Sequence, residues 1–432
     1  MKPIGLAYGR KEVLLGLPEK TLVQVLEGKP NGHEKTEEAI IVEALSNPMG
    51  TDRLQDIVKA GQRVCLVISD VTRAWQKMSL YLPYIVEELN QAGILDENII
   101  FLCATGSHRK QSREEHKLLL GEELALRFQV IDHDCRDESN LVDLGKTSFG
   151  TPVQINRIAM DCDHIIITGA IVYHDLVGWG GGKKSILPGI AGYQSIMGNH
   201  GLSLSHIEGA GTHPHVKSGN IVQNPLHEDM LEAAGIVNPS FLFNVMMDEA
   251  GNIGNAVAGH FEGAHEVGRK LVSESDGIFI NEKADLVIAS AGGFPKDMNL
   301  YQASKALSNG KEALKPGGTM ILLCQCEEGF GHPEVQEIIT GFESNLARET
   351  ELRRNYTIAK YAGFLVTEIA AKYKVILVSE IDPVLLEAAN IKVVSTLESA
   401  LKLVGGIQDA ILKTYVIPKA ANVLPIVASD SN

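Results

Sequence analysis

The chain has 432 residues, a formal net charge of −15, and ordinary shares of hydrophobic (44%) and charged (22%) side chains. That length exceeds one usual core, so two domains are expected, and the composition argues against long disorder. The acidic balance and the lack of a long basic run give no footing for nucleic acid or an anionic membrane surface, so an anionic ligand must be drawn by a local cluster of Lys, Arg and His.

The opening MKPIGLAYGRKEV has no apolar signal core, and no run reaches the ~18 apolar residues of a spanning helix, so the cytoplasm is the expected location. A short strand is expected at Glu12–Gly16 and a helix over Lys35–Leu45, stopped by Asn47-Pro48. Alternation then begins: strands at 63–69, 98–104, 129–134 and 163–170, with helices at 80–92, 113–128 and 152–159 between them. A hairpin follows around 241–258, turning at Asp248–Asn252, and then a helix over 260–274. A second series runs through strands at 284–290, 319–326, 374–379 and 391–394, with helices near 301–313, 355–373 and 397–403 and a short one after Asp382-Pro383. Val- and Ile-rich strands alternating with amphipathic helices indicate parallel sheets covered on both faces. The fold class is therefore α/β, with two domains each built on a mainly parallel sheet flanked by helices. The break is placed near 266–282, where Ser273–Gly277 interrupts the pattern, giving 1–270 as an N-terminal, catalytic and cofactor-anchoring domain and 271–432 as a C-terminal α/β domain that contributes substrate-binding residues.

Six cysteines, at 65, 103, 135, 162, 324 and 326, form no CxxC pair and several sit in strand-like runs, so they read as reduced core residues. Cys324 and Cys326 alone make no metal site. His213-Pro-His215 resembles a chelating pair, but its glycine-rich surroundings favour a solvated turn.

Ligands of open parallel sheets bind at the carboxyl ends of the strands. Those ends carry Asp70-Val-Thr-Arg73, Ala104-Thr-Gly-Ser-His108, the stretch Tyr173–His200, and Gly292-Gly-Phe-Pro-Lys-Asp297 followed by Tyr301, Gln302 and Lys305. All can face one cleft between the domains. The glycines at 178 and 180–182 leave backbone amides open to close approach by an anionic group, and Lys183 and Lys184 add charge and a nucleophilic amine. His108 and His174 each follow a Gly-containing turn, where a general base would be presented to a ligand. Asp70 suits a helix cap, whereas Arg73 at a helix start is disfavoured unless it serves an anion. His200 either closes a helix or binds metal. The Gly-Lys-Lys-Ser segment lacks the GxxxxGK[ST] spacing of a nucleoside-triphosphate loop, and no dinucleotide-binding GxGxxG stands in the expected place.

Through Asp70-Val-Thr-Arg73, Ala104-Thr-Gly-Ser-His108, Tyr173-His174, GGGKKSILPGIAG, Asn199-His200 and Tyr301-Gln302-x-x-Lys305, the sequence resembles the nickel-dependent lactate racemase family of 2-hydroxy acid racemases and epimerases. The resemblance implies a nickel-pincer nucleotide, a nicotinate-derived mononucleotide with two sulfur-containing arms that clasp Ni(II). Lys184 is then similar to the lysine joined covalently to a thioamide arm, with Lys183 as auxiliary charge. His200 is similar to the nickel ligand, in keeping with the preference of Ni(II) for sulfur with imidazole in a square plane. Asp70, Val71, Thr72, Arg73, Gly181 and Gly182 are implied to lie along the cofactor. His108 and His174 resemble paired acid/base residues, one for each enantiomer: each takes the hydroxyl proton as hydride moves to the pincer. Arg73 and Asp70 would assist them, and Tyr301, Gln302 and Lys305 would hold the substrate. Trp75 departs from a lactate-specific pattern and either reshapes the pocket or packs a helix. Implied partners are a 2-hydroxy acid and the enzymes that make the cofactor, with the chain a monomer or homodimer. The competing classes are a non-catalytic protein that binds or handles a pincer-type nucleotide and a metal-dependent hydroxy acid hydro-lyase.

Overall fold

The computed structural model describes residues 3–17, 22–29, 35–404 and 412–428. Its first sheet has six strands, in spatial order Ile253–Gly259, Phe241–Met247, His164–Ala170, Val64–Ser69, Ile99–Ala104 and Val130–Asp132. Neighbours run parallel except at the edge hairpin, where Phe241–Met247 and Ile253–Gly259 are antiparallel. The central strands are β-branched runs with both faces covered: Leu66, Val67, Ile68, Ile166 and Ile167 have no exposed surface. Burying each such side chain contributes roughly 1.5–3 kcal/mol, so a charge at Val67 would unseat the sheet. Helices Met78–Gln91 and Arg113–Arg127 pack beside each other on this unit, the second opened by a capping box between Ser112 and Glu115.

The second sheet is wholly parallel, in the order Lys392–Val394, Lys374–Val378, Leu314–Leu323, Ala284–Ser290, Thr414–Ile417 and Leu22–Val25. Its last strand comes from the start of the chain. The hairpin of Ile4–Tyr8 and Lys11–Leu15 also joins this unit, through Leu6, Leu15 and Leu17 packed with Leu286, Ile288 and Ile321. Of the described residues before residue 26, Leu22–Val25 joins the second sheet and the hairpin packs against it. The Gly9 amide ties the hairpin turn to Asp297 Oδ2 at 2.6 Å.

One stretch expected to be helical is extended instead. Pro152–Asn156 pairs antiparallel with Leu141–Lys146, and only Arg157–Met160 is helical. Val153 and Ile155 are buried on alternate positions, a period of two that favours a strand. A single apolar cluster runs through both units and includes Ile171, Trp179, Leu300, Leu307 and Phe364. The units are further joined where loop 203–213 docks on helices Asn345–Arg354 and Ile358–Lys372: Glu349 accepts from the amides of Gly209 and Gly211, and Tyr356 meets Ser203 at 2.8 Å.

Candidate active site

Strand Val64–Ser69 delivers Asp70, which is buried and caps the 3-10 turn Val71–Gln76. Its Oδ1 accepts from the Thr72 amide at 3.0 Å and from the Thr72 hydroxyl, while Oδ2 lies 2.5 Å from His108 Nδ1. Burial alone would raise this carboxyl, but His108, Thr72 and Arg73 together hold it below the usual carboxylate range. An ionised Asp70 fixes the His108 proton on Nδ1 and leaves Nε2 as the working nitrogen. His108 stands at the end of strand Ile99–Ala104, after a turn closed by its own amide on Thr105 O at 2.9 Å. Gly106, at φ +55°, makes that turn available, and the His108 side chain keeps 49% of its surface exposed.

Strand His164–Ala170 leads to His174, whose Nε2 is 3.1 Å from Lys184 Nζ. Its Nδ1 is 3.2 Å from both the Leu176 amide and Asp175 Oδ1. Two neutral tautomers are accommodated: Nδ1 accepts from Leu176 while Nε2–H faces a free lysine amine, or Nδ1–H faces Asp175 while Nε2 accepts from the lysine. Burial, reinforced by Lys184, Lys305, Arg73 and His200, keeps the His174 imidazolium disfavoured. Lys184 is itself pushed down to about 7, first by burial and then by Arg73, against the opposing pull of Asp175. Asp175, which no motif marks in the sequence, is the carboxylate that offsets this group of cations.

His200 is buried on helix Tyr193–Gly201. Its Nδ1 donates to Ile196 O at 2.9 Å, which fixes the tautomer and leaves the Nε2 lone pair for a ligand. Burial and Lys184 lower it to about 3, so it stays neutral, as a metal ligand must. Among the described residues no group of three His, Cys, Asp or Glu side chains is arranged to hold a metal ion. A metal at His200 would have to arrive with donors of its own.

Across from these, helix Leu300–Gly310 of the second unit carries Tyr301, Gln302 and Lys305 on its first turns. Lys305 Nζ donates to Gln302 Oε1 at 3.0 Å, and burial followed by Arg73 lowers its pKa. The structure therefore brings His108, His174, Arg73, Lys184, Asp175 and Lys305 into one electrostatic neighbourhood drawn from both units. Positive charge exceeds negative there, which suits a small carboxylate.

Two expectations change. The loop amides of Gly180 and Gly182 are already bonded, to Val172 O at 2.8 Å and Asn244 Oδ1 at 2.8 Å, and so do not cradle an anion. Packing requires glycine at 181 and 182: a Cβ on Gly181 would meet Asn244 Oδ1 at 2.6 Å, and one on Gly182 would meet the His265 ring at 2.8 Å. The Val71 and Thr72 amides are likewise taken, by Gln111 and Asp70. Trp75 is 45% exposed. His213 Nδ1 accepts from the His215 amide at 3.3 Å, as a turn residue would.

Comparison with known proteins identifies the family of the chain. Residues 8–211 match the model of the lactate racemase N-terminal domain, and residues 279–425 that of the C-terminal domain. The chain belongs to the lactate racemase family. It is 36% identical over 334 residues to a lactate racemase from Thermoanaerobacterium thermosaccharolyticum, covering 77% of this chain and 76% of the relative. With a lactate racemase from Lactiplantibacillus plantarum it shares 29% identity over 438 residues, 98% of this chain and 100% of the relative. The structure of the Thermoanaerobacterium lactate racemase apoprotein superposes with a TM-score of 0.89 at 31% identity, covering 98% of this chain and 100% of the other. A Thermotoga maritima protein shares the fold at a TM-score of 0.62 and 18% identity, over 92% and 99% of the respective chains. Relatives named lactate racemase are isomerases, so membership places this chain among enzymes of that class. Among the described residues no helix is long and apolar enough to cross a membrane.

Proposed function

We propose that this lactate racemase family member interconverts the enantiomers of a 2-hydroxy acid, with lactate the leading candidate, in the cleft between its two units. The observation that carries the reading is the pair of imidazoles, His108 and His174, each given a carboxylate neighbour, with Arg73 acting at both and Lys184 and Lys305 beside His174. Mirror-image substrates present their hydroxyl groups on different sides, and two separately mounted bases serve them. Asp70 orients His108 so that Nε2 takes or returns the hydroxyl proton, and His174 does the same for the other enantiomer. Arg73, Lys305 and Gln302 hold the substrate carboxylate, and Tyr301 closes the pocket wall.

Removing the Cα hydrogen of an unactivated 2-hydroxy acid as a proton is hard, whereas removing it as hydride is feasible when a base takes the hydroxyl proton. The donor set fits a nickel-pincer nucleotide: Lys184 offers a free amine near neutrality for covalent attachment, and His200 offers Nε2 to the metal. When bound, that nucleotide supplies the site that accepts the hydride and gives it back. Asp70, Val71, Thr72, Arg73, Gly181 and Gly182 are the residues proposed to flank it, through atoms other than the amides already engaged. The chain's dependence on cofactor-making enzymes belongs to the same reading.

The test is to incubate cofactor-loaded protein separately with L- and D-lactate and follow the enantiomeric ratio by chiral chromatography. Convergence of both reactions on equal amounts supports racemisation. Loss of hydroxy acid with formation of an unsaturated acid points to a hydro-lyase, and no change with any chiral 2-hydroxy acid, beside an active control racemase, points to a binding protein.

A further inference from the structure

Lys183, next to the proposed attachment lysine, has no part in the chemistry above. It is only 3% exposed, and its Nζ has no hydrogen-bond partner among the described residues. Three more nitrogen atoms of the same neighbourhood are buried and without a partner among the described residues: Trp179 Nε1 in the glycine-rich stretch, His227 Nδ1 on helix Pro225–Val237, and Arg269 Nε on helix Gly263–Asp276, although the Arg269 side chain as a whole is only half-buried. The four side chains belong together. The Arg269 guanidinium lies 5.5 Å from the Trp179 ring centre, Lys183 and Arg269 both act on the His227 imidazole, and Arg269 acts on Lys183.

Lys, Arg and Trp side chains donate and do not accept, so they cannot satisfy one another. Histidines and acids facing them do not fill the need. His265, against the same loop, uses Nε2 on Gly180 O at 2.8 Å. Glu266 pairs with Lys270 at 2.8 Å, and Glu262, though near enough to be felt by Lys183 and Arg269, bonds to neither. Burial, then the Lys184 and Arg269 charges, push Lys183 down to about 7, and leaving several buried donors unmet beside the Arg269 cation is strongly unfavourable. A water accepts from two donors at most and leaves the charge uncompensated, whereas an anion answers both needs.

We propose that Lys183, Arg269, Trp179 and His227 enclose a small inorganic anion of chloride size, behind the glycine-rich loop and apart from the substrate cleft. The anion holds Trp179 and Lys183 to the two helices, and through them fixes the loop from which Lys184 projects. Each of the four nitrogens is sealed from solvent, so the occupant is small and exchanges only when the loop loosens.

Trp179 makes the site observable, because the chain has only two tryptophans. In full-length Trp75→Phe protein dialysed into sodium gluconate, Trp179 is the sole indole reporter. Iodide is expected to quench it along a saturating curve that chloride shifts by competition. Introducing Lys183→Met or Arg269→Gln, with folding checked by circular dichroism, is expected to weaken the apparent affinity by about tenfold or more, the loss of one charge-assisted hydrogen bond. Quenching that is absent, or linear in iodide and indifferent to chloride, overturns the proposal in the Trp75→Phe protein alone, even if neither further variant folds. A saturating curve unchanged in both variants overturns the assignment of these residues.

Discussion

Replacing Asp70 by Asn keeps the shape of the side chain and removes its charge. Oδ1 of the asparagine still accepts from the Thr72 amide and hydroxyl, so the local turn is retained and the new NH2 is aimed at His108 Nδ1. A donor there forces Nδ1 to accept and moves the ring proton to Nε2, the nitrogen that must be free to take a proton from substrate. Losing only the charged hydrogen bond is worth about 1.5–3 kcal/mol, or about 10- to 150-fold in rate. The enforced wrong tautomer extends the loss toward about 10⁴-fold. The expected result is therefore a fall in kcat of about 10²–10⁴ with KM nearly unchanged in both directions, because enantiomers have an equilibrium constant of one and each conversion uses both histidines. Initial rates from each lactate enantiomer, on preparations of equal nickel content, measure it, and the His108 tautomer can be read independently from imidazole nitrogen NMR shifts. A variant with kcat within about threefold of the parent for both directions would refute the orienting role of Asp70.

Further expectations concern the cofactor residues, the substrate cation and the loop. His200→Ala should lose nickel, measured by metal analysis, while keeping the covalent mass increment on Lys184; nickel retained at the parental level contradicts the ligand assignment. Lys305→Met should raise KM by about tenfold or more through loss of a charged contact to the carboxylate, and an unchanged KM removes Lys305 from the substrate site. Lys184 titrates at about 7 when folded and near its ordinary 10.5 when unfolded. Below the lower value both states hold the proton and the burial penalty is complete; between the two values the unfolded chain binds more protons, so stability rises with pH. Lys184→Met should flatten that rise in denaturant unfolding of cofactor-free protein at about pH 7 and about pH 9.5, and an identical slope in parent and variant would count against a buried, neutralised amine. Gly182→Ala should lower stability by roughly 1–3 kcal/mol, because φ is +56° and the new methyl meets the His265 ring; an unshifted melting temperature would mean that the loop adapts freely.

The strands that present the site were legible because each is a compact β-branched run ending in polar residues: Val64–Ser69 before Asp70, Ile99–Ala104 before His108, and His164–Ala170 before His174. What escaped depended on distant partners. Nothing local in Leu22–Val25 says that it will extend a sheet whose neighbouring strand, Thr414–Ile417, lies near the other end of the chain. Pro152–Asn156 passes for part of a helix until its partner Leu141–Lys146 is known. Helices Tyr193–Gly201, Pro225–Val237, Pro333–Thr340 and Asn345–Arg354 also went unread, the first being rich in glycine and short in apolar periodicity. At the site, residue types announced His108, His174, Lys184 and His200. The help Asp70 gives a histidine was implied by the resemblance, whereas the nearness of Asp175 to Lys184 and Lys305 is a fact of three-dimensional placement. The glycine-rich loop misled in the opposite sense, since its spacing suggested open amides and the fold uses them against Val172 and Asn244.

Everything proposed about the chemistry turns on whether Lys184 carries a nickel-bearing nucleotide. Intact mass and nickel content should be determined for this chain co-expressed with the pincer-making enzymes, beside Lys184→Ala treated identically. A nucleotide-sized mass increment with bound nickel in the parent, and no increment in Lys184→Ala, is the predicted result. Absence of both adduct and nickel in the parent, while a control racemase from the same cells is loaded and active, would contradict it.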